Sequence, residues 1–221
     1  MKWIWYGIGR RMCRLFCMAL FRCRIYGREN IPSEGAFLMV CNHQSYLDPL
    51  LCGSHIKTHL SFMARDSLFR YFFSGALLRS LDVIPVARDK ADIATMKRII
   101  RKLTEGKPVC LFPEGTRTSD GKIATLKGGF GLIARRAAVP IVPAIIDGGF
   151  ECWPRQRKLF RAGSQIKVCY GEIITAERVK AMKDRQLAQV MTDTLRKMQT
   201  KCREMSGKEA YDYGNDGEKS S

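Results

Sequence analysis

The chain has 221 residues, enough for one ordinary domain with a sizeable core and room for an appendage. It carries 38 Lys plus Arg against 21 Asp plus Glu, a formal charge of +17, which exceeds what solubility asks of a small domain and points to an anionic partner: nucleic acid, an anionic membrane or a phosphorylated substrate. Its nine cysteines include no Cys-x-x-Cys pair, which argues against a zinc site or disulfide framework and for reduced thiols in a cytosolic setting, and His55 and His59 at i, i+4 offer two metal ligands with no third.

Residues 1–21 are rich in Trp, Ile, Phe, Leu and Arg. The longest uncharged runs there, Trp3 to Gly9 and Leu15 to Phe21, are seven residues, far short of the roughly 20 a spanning helix needs. Arginines interrupt the apolar region, so it is no secretory signal. At helical spacing Arg10, Arg11, Arg14, Arg22 and Arg24 fall within about 160° of one another, with Trp5, Ile8, Met12, Leu15, Phe16 and Leu20 opposite. The pattern predicts an amphipathic helix in a membrane interface, arginines toward anionic headgroups. A core helix with a solvated basic face is the plainer alternative.

Further along, Arg22 to Tyr26 reads as an edge strand and Ala36 to Cys41 as a buried one. A helix is expected from about Ser45 to Cys52, capped by Asn42 or Ser45. Leu60 to Ala64 is a short strand. Arg65 to Leu81 is dense in Leu and aromatics and reads either as a buried helix or as an exposed aromatic surface. Val83 to Val86 is a strand whose Pro85 suggests an edge. Ala91 to Thr104 is an amphipathic helix ended by Gly106. Val109 to Phe112 is a buried strand, Lys127-Gly128-Gly129 starts a helix to about Ala138, and Val139 to Ile146 and Gln165 to Tyr170 are the last strands. Thr175 caps one long helix to about Met205. From Ser206 the composition predicts a disordered tail. The segments are thus 1–21, an N-terminal interface helix, 22–205, a single domain, and 206–221, the tail. Strands alternating with helices predict an α/β fold, a mixed, mostly parallel central sheet with helices on both faces. No Walker loop, dinucleotide fingerprint or Gly-x-Ser-x-Gly elbow is present.

The chemistry gathers at strand ends, where open α/β sheets place ligands. Asn42-His43-Gln44-Ser45-Tyr46-Leu47-Asp48 follows the Ala36 to Cys41 strand. An imidazole suits proton abstraction near neutral pH, and a carboxylate on its second nitrogen fixes the tautomer. On a continuous helix the two side chains would lie about 140° apart, so they meet only if His43 sits in a turn before the helix. Arg88 follows the Val83 to Val86 strand, and Glu114-Gly115-Thr116-Arg117 follows the Val109 to Phe112 strand. Arg65 and Lys127 are nearby in pattern. A base with no Ser or Cys beside it implies a nucleophile that arrives with the substrate, and the basic residues suit a phosphate.

Asn42-His43…Asp48, Phe112-Pro113-Glu114-Gly115-Thr116-Arg117 and Val139-Pro140-Ile141-Val142-Pro143 resemble three of the four blocks of the glycerolipid acyltransferases, and Arg65 through Ile84-Pro85-Val86-Ala87-Arg88 resembles the remaining one. Order and spacing agree from about Arg24 to Ile146. The resemblance implies that His43 is the general base on the acceptor's hydroxyl and that Asp48 orients it. It implies further that Glu114, Gly115, Thr116 and Arg117 bind the acceptor, with Arg117 on its phosphate. Arg88 would match a second phosphate-binding arginine, and Lys127 a basic position after the third block. Arg65 stands where the family often has Lys, and Asp82 where a Gly is common. The implied reaction is single-displacement transfer of a fatty acyl chain from a thioester, on coenzyme A or acyl carrier protein, to 1-acyl-glycerol-3-phosphate, giving phosphatidic acid. It calls for no metal or other cofactor. The expected place is the cytoplasmic face of a membrane, peripheral or monotopic.

Rival readings are an acyltransferase with another acceptor, such as a lyso-ornithine lipid or a sugar, and a catalytically idle basic protein on a membrane. A nucleic-acid binder would also explain the charge, but no reader motif is present and no nucleic-acid partner is expected.

Overall fold

The computed structural model describes residues 2–71, 75, 76, 78, 79, 81–86 and 93–214, with side chains from residue 7 onward. Its central sheet follows from alternation along the strands. In β2 (Leu38–Cys41), β5 (Val109–Leu111) and β6 (Ile141–Asp147) every residue is buried, as expected where helices cover both faces. Leu38, Val40, Val109, Leu111, Ile141 and Ile145 enter one core. Met39, Cys41, Cys110, Val142, Ala144 and Ile146 enter the other. The period of two thus divides each strand between two apolar layers.

β1 (Arg22–Tyr26) and β7 (Gln165–Tyr170) complete a five-stranded sheet in the order β1-β7-β6-β2-β5. β2 runs parallel to β5 and β6, β1 runs parallel to β7, and the β6–β7 pair is antiparallel. Beyond β5, Ser61 bridges to Val109 in parallel, and the chain continues into β3 (Met63–Arg65), paired in parallel with β4 (Ile84–Val86). The mixed, mostly parallel sheet with helices on both faces is as the alternation of elements predicts.

α1 (Lys2–Leu20) and α2 (Asp48–Gly53) cover one face. α3 (Ile93–Thr104), α4 (Gly129–Ala137), α6 (Ala176–Ala181) and α7 (Asp184–Glu204) cover the other, and the short α5 (Gly149–Cys152) follows β6. All nine cysteines are free thiols.

Several elements differ from expectation, each for a tertiary reason. α2 starts at Asp48, three residues after Ser45, and no side chain caps it. The Asp48 carboxylate instead binds the turn before it, which fixes residues 43–45 in a non-helical path. The helix expected from Thr175 to Met205 is two helices. Thr175 caps α6 by accepting the Arg178 N–H, but Met182 and Lys183 are extended. Arg135 of α4 holds that break through the Met182 carbonyl at 3.0 Å and the Asp184 carboxylate.

α1 ends at Leu20, so Arg22 and Arg24 belong to β1 and not to the helix's basic face. Arg10 turns inward and donates to the carbonyls of Ile56 and Lys57. The side chains of Trp3 and Trp5 lie outside the described residues. Outward α1 presents Ile8, Met12, Leu15, Phe16 and Met18, together with Arg11 and Arg14, while Cys17 is buried against the domain.

In the segment 65–81, the described part contains a 3-10 turn, Asp66–Phe69, and exposes Leu68 and Tyr71, as the exposed-surface alternative predicts. Residues 206–214 are no disordered tail. Tyr213 bonds Gln199 and accepts the Ile123 N–H at 3.2 Å. Arg203 lies 3.8 Å above the Tyr211 ring, and Lys208 pairs with Glu151 at 3.2 Å. Two aromatic rings in a polar stretch supply the anchoring that its average composition conceals. Residues 215–221 lie outside the described residues.

Candidate active site

The site stands at the carboxyl ends of β2, β5 and β6. Asn42, the first residue past β2, extends the sheet with its side chain. Its Nδ2 donates to the Ile146 carbonyl at 2.9 Å, and its Oδ1 accepts the Ile146 N–H at 2.8 Å. That lock sets the direction of His43. The His43 carbonyl accepts the Thr118 N–H at 2.8 Å, and its N–H donates to Glu114 Oε1 at 2.7 Å. The ring stacks on Phe112 with centroids 4.3 Å apart. His43 is therefore held by its backbone and by one ring face.

Asp48 is fully buried, and one of its oxygens does three jobs. Oδ2 accepts from His43 Nδ1 at 2.7 Å and from the Gln44 and Ser45 N–H groups at 2.7 and 2.8 Å. The sequence reading that the pair meets only in a turn ahead of the helix is how the structure achieves it. With Nδ1 engaged, Nε2 is the nitrogen left for a substrate, and the imidazole remains partly open to solvent. Gln44 braces the turn, donating to the Gly121 carbonyl at 2.9 Å and accepting the Phe150 N–H at 3.2 Å.

The loop after β5 is a tight turn closed by the Gly115 N–H on the Phe112 carbonyl at 3.0 Å. Gly115 has φ +73°, where a residue with a side chain is strained. Glu114 points inward, and its second oxygen accepts the Ala124 N–H at 3.3 Å. Burial pushes its carboxyl up to about 7, against the pull of those N–H bonds. Its two bonds tie the His43 backbone to the Ala124 backbone.

Arg117 lies over the Tyr46 ring, 3.4 Å from the centroid. Its Nη1 is buried and has no hydrogen-bond partner among the described residues, a donor group that lacks an acceptor. Lys127 Nζ comes within 3.9 Å of where a Cβ on Gly115 would lie. A cavity of about 430 Å³ borders the same loop, lined in part by Thr116, Arg117, Thr118, Ala124 and Tyr213.

The structure thus brings His43, Asp48, Glu114, Gly115, Thr116, Arg117 and Lys127 together. Arg65 stands at the carboxyl end of β3, opposite Val86 in the ladder, exposed and with no side-chain hydrogen bond or ion pair among the described residues. It belongs to the separate two-stranded sheet of β3 and β4. Arg88 lies outside the described residues. Sequence reasoning missed two groups: Asn42 and Gln44 as the lock and brace of the catalytic turn, and the segment 153–161. In that segment Arg155 Nη1 donates to Thr116 Oγ1 at 3.4 Å, and Trp153 packs on Tyr46. The bunched charges of Arg155, Arg157, Lys158 and Arg161 beside a tryptophan were the available signal. Among the described residues no three His, Cys, Asp or Glu side chains converge as a metal site would need.

A carboxylate-oriented imidazole stands beside an arginine with a buried free donor, at the carboxyl ends of an α/β sheet, an arrangement able to take a proton and hold an anion. The chain belongs to the acyltransferase family, whose model matches residues 22–147, and it is an acyltransferase. It is 30% identical to the 1-acyl-sn-glycerol-3-phosphate acyltransferase of Bacillus subtilis over 78% of this chain and 83% of that one. It is 31% identical to the chloroplastic enzyme of that name from Brassica napus over 61% of this chain, spanning 40% of the plant protein. The fold is similar to the crystal structure of the 1-acyl-sn-glycerophosphate acyltransferase from Thermotoga maritima, with a TM-score of 0.78, 24% identity, and coverage of 88% of this chain and 78% of that one.

Proposed function

We propose that this acyltransferase moves a fatty acyl chain from a thioester, on coenzyme A or acyl carrier protein, to the free hydroxyl of 1-acyl-glycerol-3-phosphate, yielding phosphatidic acid. The observation that carries the reading is the pairing of His43, oriented by Asp48 through Nδ1, with the unpartnered buried Nη1 of Arg117. A base and a phosphate-seeking cation on adjoining loops suit an acceptor that carries both a hydroxyl and a phosphate.

His43 Nε2 takes the hydroxyl proton as the oxygen attacks the thioester carbonyl. The C–O bond forms, the C–S bond breaks, and the imidazolium returns the proton to the leaving thiolate. Asp48 stabilises the imidazolium in between. Arg117, with Lys127 beside the loop, neutralises the acceptor's phosphate, and Arg88 is proposed as a further phosphate ligand. His43 and the thioester supply the reaction without a cofactor. The outward apolar face of α1, together with the charge of +17, supports a peripheral seat on the cytoplasmic face of an anionic membrane. No helix among the described residues is long and apolar enough to cross one.

The test is transfer from a labelled acyl thioester to lysophosphatidic acid on phosphatidylglycerol vesicles, wild type against His43→Ala, with a lyso-ornithine lipid as a second acceptor. Phosphatidic acid should form with the wild type, and removal of the base should lower the rate on the order of 10²–10⁴-fold. Product from the second acceptor alone would overturn the substrate. A folded, vesicle-bound wild type that is idle with both would overturn the reaction.

A further inference from the structure

A run of aromatic rings leaves the catalytic turn and ends on α1. Tyr46, inside the His43–Asp48 turn, lies under the Arg117 guanidinium. Its ring centroid is 5.1 Å from that of Trp153. Trp153 is 5.8 Å from Phe160, which in turn contacts Phe16 at 6.2 Å and Phe21 at 5.6 Å. Phe16 sits on the exposed apolar face of α1 beside Met12 and Leu15. Tyr46 is 51% exposed, and Leu50 and Leu159 are exposed as well. The run is therefore a track open to solvent at its two ends, Tyr46 and Phe16, while Trp153 and Phe160 between them are half-buried against the core.

Its two ends differ in chemistry. At the catalytic end stand two arginines, Arg117 and Arg155, the latter tethered to Thr116. At the other end lies bare hydrocarbon. Trp153 is held in place by its indole N–H on the Arg157 carbonyl at 3.1 Å, so the segment 153–161 presents its ring and its arginine as one rigid piece.

Aromatic rings that run from a pair of arginines, with Arg157, Lys158 and Arg161 also on the flank of the segment, match an amphiphile with an anionic head and one chain. We infer that Trp153 and Arg155 are specificity-determining residues for the acceptor. Arg155 shares the acceptor's phosphate with Arg117, and the acceptor's own acyl chain lies along Tyr46, Trp153 and Phe160 toward α1. This rests on the acceptor reading above. It adds that the enzyme senses the chain its acceptor already carries. A lysolipid could slide from the membrane along α1 to His43 without exposing its chain to water.

The experiment compares lysophosphatidic acids with short and long chains at a fixed thioester, using wild type, Trp153→Ala, Trp153→Phe and Arg155→Ala. Trp153→Ala should lower the long-to-short ratio of kcat/KM about tenfold, the effect of about two methylenes losing apolar contact. Trp153→Phe should restore most of that ratio. Arg155→Ala should raise KM for both acceptors alike, and Arg155→Lys should recover part of it. Binding of the same acceptors to protein carrying His43→Ala gives a readout independent of turnover. Loss of long-chain preference in binding, with no transfer by the wild type, would sustain the track and overturn the reaction. An unchanged ratio in both assays, with thermal melts showing the variants folded, would overturn the track. So would a change in preference for the thioester's chain instead of the acceptor's, since the track would then seat the donor.

Discussion

Replacing Asp48 with Asn separates charge from geometry at the catalytic turn. Asp48 Oδ2 accepts two backbone N–H groups, from Gln44 and Ser45, besides His43 Nδ1. Those two fixed donors require an oxygen at that position, so the amide of Asn must place its oxygen there and its nitrogen where Oδ1 now lies. The His43 tautomer and orientation survive, and the negative charge does not. A hydrogen bond to a charged group contributes about 1.5–3 kcal/mol, so weaker stabilisation of the imidazolium should slow transfer about 10- to 150-fold. The displaced NH2 falls in a buried place where Oδ1 has no hydrogen-bond partner among the described residues and where a Cβ on Gly149 would approach to 3.3 Å. An unsatisfied buried donor should lower stability by about 1–3 kcal/mol. Asp48→Ala strips the acceptor from all three donors and should lose as much activity as His43→Ala. Initial rates of acyl transfer for wild type, Asp48→Asn and Asp48→Ala, with urea melts of each, make the comparison. If Asp48→Asn were as inactive as His43→Ala while still folded, the two backbone donors would not be fixing the oxygen as argued. If it were within twofold of wild type, Asp48 would not be stabilising an imidazolium.

Glu114 links stability to pH. Its folded value of about 7 lies above the ordinary 4.5, so the folded state binds more protons between the two values and its stability falls as pH rises through that window. From pH 5 to 8 the group should withdraw about 2.5 kcal/mol. Urea melts of Glu114→Gln should show that slope removed, and parallel curves for variant and wild type would refute the assignment. Asn42→Ala should lose about 2–4 kcal/mol by orphaning both the N–H and the carbonyl of Ile146. A denaturation midpoint matching the wild type would show that the turn is held by other contacts.

The sequence by itself determined the strands, their two-faced burial and most of the residues that meet at the candidate site. β2, β5 and β6 are continuous apolar runs of strand length between turn residues, which favours buried strands over helix. The His43–Asp48 spacing is equally informative, because five positions exclude a shared helix face and force a turn. Tertiary structure alone decided what ties that turn down. Asn42 reaches Ile146, 104 residues away, and Glu114 reaches the His43 N–H across 71. Such polar bonds leave no periodic trace, since each depends on where two distant backbones come to rest. The same limit hid the break between α6 and α7, made by Arg135 from another helix, and the docking of residues 206–214, which rests on two tyrosines in a polar stretch. It also hid the track from Tyr46 to Phe16. Its rings come from three separate stretches of chain, and only the packing of α1 and the segment 153–161 on one face of the sheet sets them in line.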